Sequence, residues 1–163
     1  MKTKHFQRRS IVAILAAGFM ASAMLITACN KDVTINNNTQ MYTTSGNASG
    51  TQENPSNASS GSGTLSGTYN ATTNVWQYTI NWTNLTTTAT AVEIHGPANI
   101  GVNGALNFAL GITTGGVNGS ASGSVTLSAQ QEADLLAGKL YYTILSATYI
   151  SGEIRGQITA SAQ

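Results

Sequence analysis

Residues 75–82, VWQYTINW, alternate without a break: Trp76, Tyr78, Ile80 and Trp82 fall on one side, Gln77, Thr79 and Asn81 on the other. Two residues is the side-chain period of a β-strand, and no helix gathers these four large residues on one face. Shorter runs of the same kind recur between clusters of Gly, Asn, Ser and Thr. ALNFAL brings Leu106, Phe108 and Leu110 together, SVTL pairs Val125 with Leu127, and KLYYTIL alternates two partly apolar faces. Many short strands with frequent turn signals predict an all-β sandwich or barrel. GVNG occurs at 101–104 and 116–119, and its Asn-Gly pairs predict tight turns with positive φ. On so apolar a face, Trp76 and Trp82 are expected in the core.

One segment reads differently. In SAQQEADLLAGK, Ser128 suits an N-cap, Gln131 the capping-box position, Leu135 and Leu136 the packed side, and Gly138 the stop, which predicts one short helix. Glu132 and Asp134 are expected on its solvated surface.

The first 28 residues have another character. A basic stretch, MKTKHFQRRS, precedes the uncharged apolar IVAILAAGFMASAMLI, the two regions of an export signal. The uncharged run from Ser10 to Cys29 also has the length of a membrane-spanning helix. It ends, however, in ITAC, which resembles the lipobox of bacterial lipoproteins. That resemblance implies diacylglycerol on the thiol of Cys29, cleavage just before it and acylation of the new amine, so that membrane lipid is the first partner. Two or more acyl chains anchor stably, at about 0.8 kcal/mol per buried methylene. Cys29 is the chain's single cysteine, so no disulfide is expected within it. Residues 29–42 then form the lipidated N-terminus and a polar, asparagine-rich tether, and 43–163 one domain. By the same resemblance, Asn30 after the cysteine favours the outer membrane of a bacterial envelope, with the periplasmic or surface side open.

From Cys29 onward the chain keeps Lys31, Lys139 and Arg155 against six acidic residues, a net charge of −3; the +1 of the whole sequence belongs to the leader. Three scattered basic residues make no electrostatic footprint for nucleic acid. Leu, Ile, Val and Phe make up only 25 of these 135 residues, enough with the Trp and Tyr side chains for one modest core.

Across roughly residues 43–160 a set of landmarks resembles the CHRD domain, the module named after chordin. They are TQENP (51–55), TNL (83–85), AVEIHGPA (91–98), GVNGALNFAL (101–110), LLAGKLYYTI (135–144) and GEIRGQI (152–158). The resemblance implies a Greek-key β-sandwich, immunoglobulin-like or Cu/Zn superoxide dismutase-like. Many members read His-x-His before GPA and carry another His in the strand before GEIRG. Here those positions hold Glu93 and Leu145, leaving His95 alone.

The residues that can carry chemistry are few. Glu93 and His95, two apart on a strand, project to one side with their Cα atoms roughly 6.6 Å apart. A zinc or copper site wants three or four nitrogen or sulfur ligands, and after Cys29 the chain offers one His and no further Cys, so no metal and no cofactor are expected. There is no Gly-x-Ser-x-Gly elbow and no phosphate-cradling glycine motif, so no catalytic residue is assigned. Glu153 and Arg155 share a strand face opposite Ile154 and Ile158. They are expected to form a structural ion pair or network with Glu93 or His95 that closes one end of the sandwich. The other reading makes Arg155 an anchor for a ligand or partner carboxylate. The whole predicts a lipid-anchored envelope protein with a non-catalytic binding or structural module, its protein or glycan partner unidentified. The alternative is a metal-dependent envelope enzyme on a dismutase-like sandwich, using His95, Glu93 and Glu153.

Overall fold

A computed structural model describes residues 39–163, so the leader, Cys29 and most of the expected tether lie outside the described residues. Nine strands follow in chain order: β1 (Met41–Ser49), β2 (Ser62–Asn70), β3 (Val75–Thr83), β4 (Ala89–His95), β5 (Leu106–Leu110), β6 (Gly119–Thr126), β7 (Tyr141–Ser146), β8 (Ile154–Gln157) and β9 (Thr159–Ala162). A single helical turn, Gly50–Gln52, follows β1, and one helix, α1 (Ala129–Leu136), joins β6 to β7. β1 opens at Met41, two residues before the domain start expected at 43. Among the described residues no helix is long and apolar enough to cross a membrane.

All pairings are antiparallel, in the order β5-β4-β7-β8-β1-β2-β3-β6, with β9 beside β1. The sheet folds over on itself. One layer is β5-β4-β7-β8, the other β1-β2-β3-β6, and the terminal segment stitches them together: β8 pairs with β7 while β9 pairs with β1. The pairs β3–β6 and β4–β7 join strands that are not consecutive, the crossovers expected of a Greek key. The sandwich is therefore one continuous ladder rather than two separate sheets.

The strand at 75–83 alternates as its sequence predicts, with Trp76, Tyr78, Ile80 and Trp82 inward and Gln77, Thr79 and Asn81 exposed. These meet Ile94, Tyr142, Ile144, Ile154 and Ile158 from the opposite layer in one core. Trp76 and Thr44 are both fully buried, and the indole N–H donates to the Thr44 hydroxyl at 2.9 Å, so the ring's polar atom is satisfied inside. The helix is capped as expected: the Ser128 hydroxyl accepts from the Gln131 amide, and the Gln131 side chain accepts from the Ser128 amide at 2.8 Å. Gly138 (φ 65°) follows its end.

Three expectations need correction. Leu106 does not share a face with Phe108 and Leu110, because a bulge shifts the register between Ile94 and His95: Phe108 pairs with Ile94 but Leu106 pairs with His95. The extra residue, Asn107, turns Leu106 outward, where it is exposed. The Asn107 side-chain oxygen accepts from Gln131 Nε2 at 2.8 Å, tying the bulge to the helix. In the two GVNG segments the positive φ belongs to the first glycine, Gly101 (76°) and Gly116 (136°), and not to the Asn-Gly pair. Asp134 is buried rather than solvated, accepting from the Gln130 amide at 3.1 Å.

Candidate functional site

The outward face of β4, β7 and β8 carries two cross-strand rows fixed by register. Glu93 is opposite Thr143, and Thr143 opposite Arg155; His95 is opposite Tyr141, and Tyr141 opposite Gln157. Partners directly opposite lie about 5 Å apart, so each row is a contact series. An outer face is ordinarily solvated, but here two loops roof it. Arg155 is only 2% exposed, lying with its guanidinium carbon 3.5 Å from the centre of the Tyr141 ring. His95 stacks on the same tyrosine, centroids 5.3 Å apart at 19°.

The Arg155 donors go to neutral acceptors on the roof: Nη2 to the Val102 carbonyl at 2.8 Å and Nη1 to the Asn103 side-chain oxygen at 3.2 Å. Tyr141 adds its hydroxyl, which accepts from the Gly104 amide at 3.1 Å. The loop 99–104 is thereby clamped onto the sheet. It is joined in turn to the 53–57 loop, since Asn54 donates to the Gly101 carbonyl at 2.9 Å and Asn103 to the Asn54 carbonyl at 2.7 Å.

His95 has both ring nitrogens facing acceptors, Nε2 at 2.9 Å from Glu93 Oε2 and Nδ1 at 3.1 Å from the Gly104 carbonyl. It is held in place and neither nitrogen is free to turn elsewhere. Glu53, part of the TQENP landmark but not expected at the site, reaches over the same face: its Oε1 accepts from the Thr143 hydroxyl at 2.6 Å. Burial pushes its carboxyl above the usual glutamate range, and the Thr143 hydroxyl and the charges of Arg155 and His95 offset only part of that. Gly152 makes this reach possible, because a Cβ there would stand 2.5 Å from Glu53 Oε1 and 2.6 Å from the Thr143 hydroxyl. A pocket of 190 Å³ opens between Glu53, His95, Asn103, Tyr141, Thr143 and Ser151. Next to it, sharing Glu53, Asn54 and Ser151, is a second of 290 Å³ that runs under Pro55, Tyr149 and Ile150. A broader depression of 390 Å³ on the other layer is lined mainly by Ser, Thr and Gln of β1–β3 and brings no carboxylate or cation together.

The expected network of Glu93, His95, Glu153 and Arg155 is only partly present. Glu93, His95 and Arg155 converge through Tyr141, but Glu153 does not join them and Arg155 pairs with no carboxylate within 4.0 Å among the described residues. Glu153 precedes β8 and is fully buried, its Oε1 accepting from the Ser59 hydroxyl at 2.7 Å and the Thr86 amide at 2.5 Å. It staples the β1–β2 and β3–β4 connections to the end of the sandwich. Burial raises its pKa, but the Ser146 hydroxyl, the Thr86 amide and the Ser59 hydroxyl outweigh burial and hold it below the usual range. Its Oε2 has no partner of good geometry even though the Ser146 hydroxyl is near. The ligand set of the metal-enzyme alternative is therefore not assembled: Glu153 lies apart, both His95 nitrogens are engaged, and no three His, Cys, Asp or Glu among the described residues are grouped to hold an ion.

Asn103, Tyr141 and Glu53 are the site residues that sequence reasoning passed over. Tyr141 was detectable as the outward residue of an alternating strand opposite His95; Asn103 and Glu53 arrive on loops, where no periodicity points.

Fold and site together define a class: a one-domain, all-β sandwich module with a loop-roofed polar face built on an arginine–tyrosine–histidine stack. Residues 44–158 match the profile of the CHRD domain, and the chain belongs to that family. Searches of curated proteins and of solved structures gave no match.

Proposed function

We propose that this chain is a lipid-anchored protein of the bacterial outer membrane, held at Cys29 on its periplasmic or surface side, whose CHRD domain serves as a non-catalytic binding module.

 The anchoring half rests on the sequence before the domain: a basic, then apolar leader that ends in ITAC at the chain's single cysteine, followed by a polar tether long enough to let the domain stand off the bilayer. Asn30 after the cysteine favours the outer membrane over the inner.

The binding half is carried by one observation. Arg155, buried on Tyr141, clamps the 99–104 loop through Val102 and Asn103, so the polar face and its pockets are held in shape before any partner arrives. Preorganisation of this kind lowers the ordering cost of association. The test of anchoring is the mass of the mature protein from the membrane fraction of its host. The expected mass is that of a chain starting at Cys29 plus its acyl groups, and Cys29→Ala is expected to lose the modification. A mature chain with an unmodified Cys29 thiol overturns the anchoring.

A further inference from the structure

The two pockets beside the polar face form one cleft between three loops, 53–57, 99–104 and 148–152, and Glu53 lines both parts of it. The carboxylates of the domain are not equivalent. Glu93 is matched by His95, Glu153 is interior, and Glu132 and Asp134 belong to helix α1 away from the cleft, whereas Glu53 faces it. One of its oxygens is held by Thr143, and the other accepts no hydrogen bond among the described residues. Arg155 and His95 act on Glu53 through their charge, but neither forms an ion pair with it among the described residues: the Arg155 hydrogen bonds go to Val102 and Asn103, His95 pairs with Glu93, and Lys139 donates to Asn99.

The rim is apolar in a chain with few large apolar side chains. Ile150, 77% exposed, lines the cleft, and Ile100, 80% exposed, stands on the adjoining loop. Two exposed aliphatic side chains therefore stand beside a partly buried carboxylate, offering an apolar contact next to a charged one. The cleft also lies at the far end of β1 from Met41, where the described chain enters the sandwich. β1 has nine residues, which by strand rise separates the two ends by about 27 Å.

We propose that this cleft receives a basic side chain, lysine or arginine next to an aliphatic residue, from a partner protein, with Glu53 as counter-charge and Ile150 as the apolar contact. This rests on the reading of the domain as a binding module and supplies the chemistry of its partner. Charge complementarity selects the occupant: residues 39–163 carry five acidic and two basic side chains, and Glu53 is the acidic one turned to the cleft.

The experiment is fluorescence anisotropy with the full mature protein in detergent, titrated against a labelled peptide of alternating lysine and leucine and against its glutamate–leucine counterpart. The expected result is binding of the lysine peptide alone, weakened about tenfold or more in Glu53→Gln and in Ile150→Ser, and unchanged in Gln77→Ala on the opposite layer. Melting curves of each variant separate lost binding from lost fold; Ile150→Ser, on an exposed loop, keeps the test open if Glu53→Gln is unstable. Binding that survives Glu53→Gln but not Ile150→Ser refutes the basic occupant while the cleft remains a binding surface. Binding indifferent to both variants, equal binding of the two peptides, or none up to about 1 mM overturns the proposal; indifference to both also removes this face as the binding surface.

Discussion

Arg155→Ala removes the clamp on the 99–104 loop, and its cost can be worked from the contacts. Two hydrogen bonds from a charged donor contribute about 1.5–3 kcal/mol each. The desolvated guanidinium on Tyr141 adds about 2 kcal/mol. Against these stands the relief of a buried charge, worth several kcal/mol, and Val102 and Asn103 lie on an exposed loop where water replaces the lost donors. The balance is a loss of about 3 kcal/mol, which for a domain of this size lowers Tm by about 10 °C. Thermal unfolding followed by circular dichroism reads the shift, and amide exchange reads its place: Gly104, bonded to the Tyr141 hydroxyl, is expected to lose protection first. The direct partners of Arg155 are a carbonyl, an amide oxygen and a ring, so the shift is expected to be nearly the same at about 0.05 M and 0.5 M salt. A Tm within about 2 °C of the parent, or a shift that collapses in high salt, refutes the clamp.

The two end-loop carboxylates are expected to respond to pH in opposite senses. The folded pKa of Glu153 is depressed, so its contribution is present above the ordinary value of 4.5 and is lost as pH falls through the folded value. Glu153→Gln also places an amide where Oε2 has no partner, so urea midpoints should show a deficit of about 1–3 kcal/mol at neutral pH that shrinks in acid; a deficit that grows in acid contradicts this. The folded pKa of Glu53 is raised, so the native state loses stability as pH climbs from 4.5 through the folded value. Glu53→Gln escapes that loss while keeping an acceptor for Thr143, and it is expected to match or exceed the parent at pH 7; a variant weaker at pH 7 than at pH 4, relative to the parent, counts against it. Ser128→Ala breaks the capping box and should cost about 1 kcal/mol in chemical denaturation, with no effect on the distant cleft.

Much of the framework was legible in the chain itself because it depends on neighbours in sequence. The period of two over residues 75–82 dictates a strand with Trp76 and Trp82 inside, and Ser128, Gln131 and Gly138 mark out a helix through contacts three or fewer residues away. The TQENP, AVEIHGPA and GEIRGQI landmarks sufficed for the family. What sequence could not decide is anything that depends on which strands become neighbours. Spacing placed Glu153 and Arg155 together, yet Arg155 lies on the strand under a loop some fifty residues earlier in the chain, and Glu153 ends among Ser59 and Thr86. A single extra residue, Asn107, turned Leu106 out of the core.

Local chemistry therefore determined that this protein is a β-sandwich with one capped helix. Tertiary structure alone decided that Arg155, Tyr141 and His95 form one stack, that Glu53 belongs beside them, and that three loops open a cleft there. The physical reason is that strand periodicity encodes which face a side chain takes, whereas register and loop closure, set by long-range pairing, decide which side chains share that face.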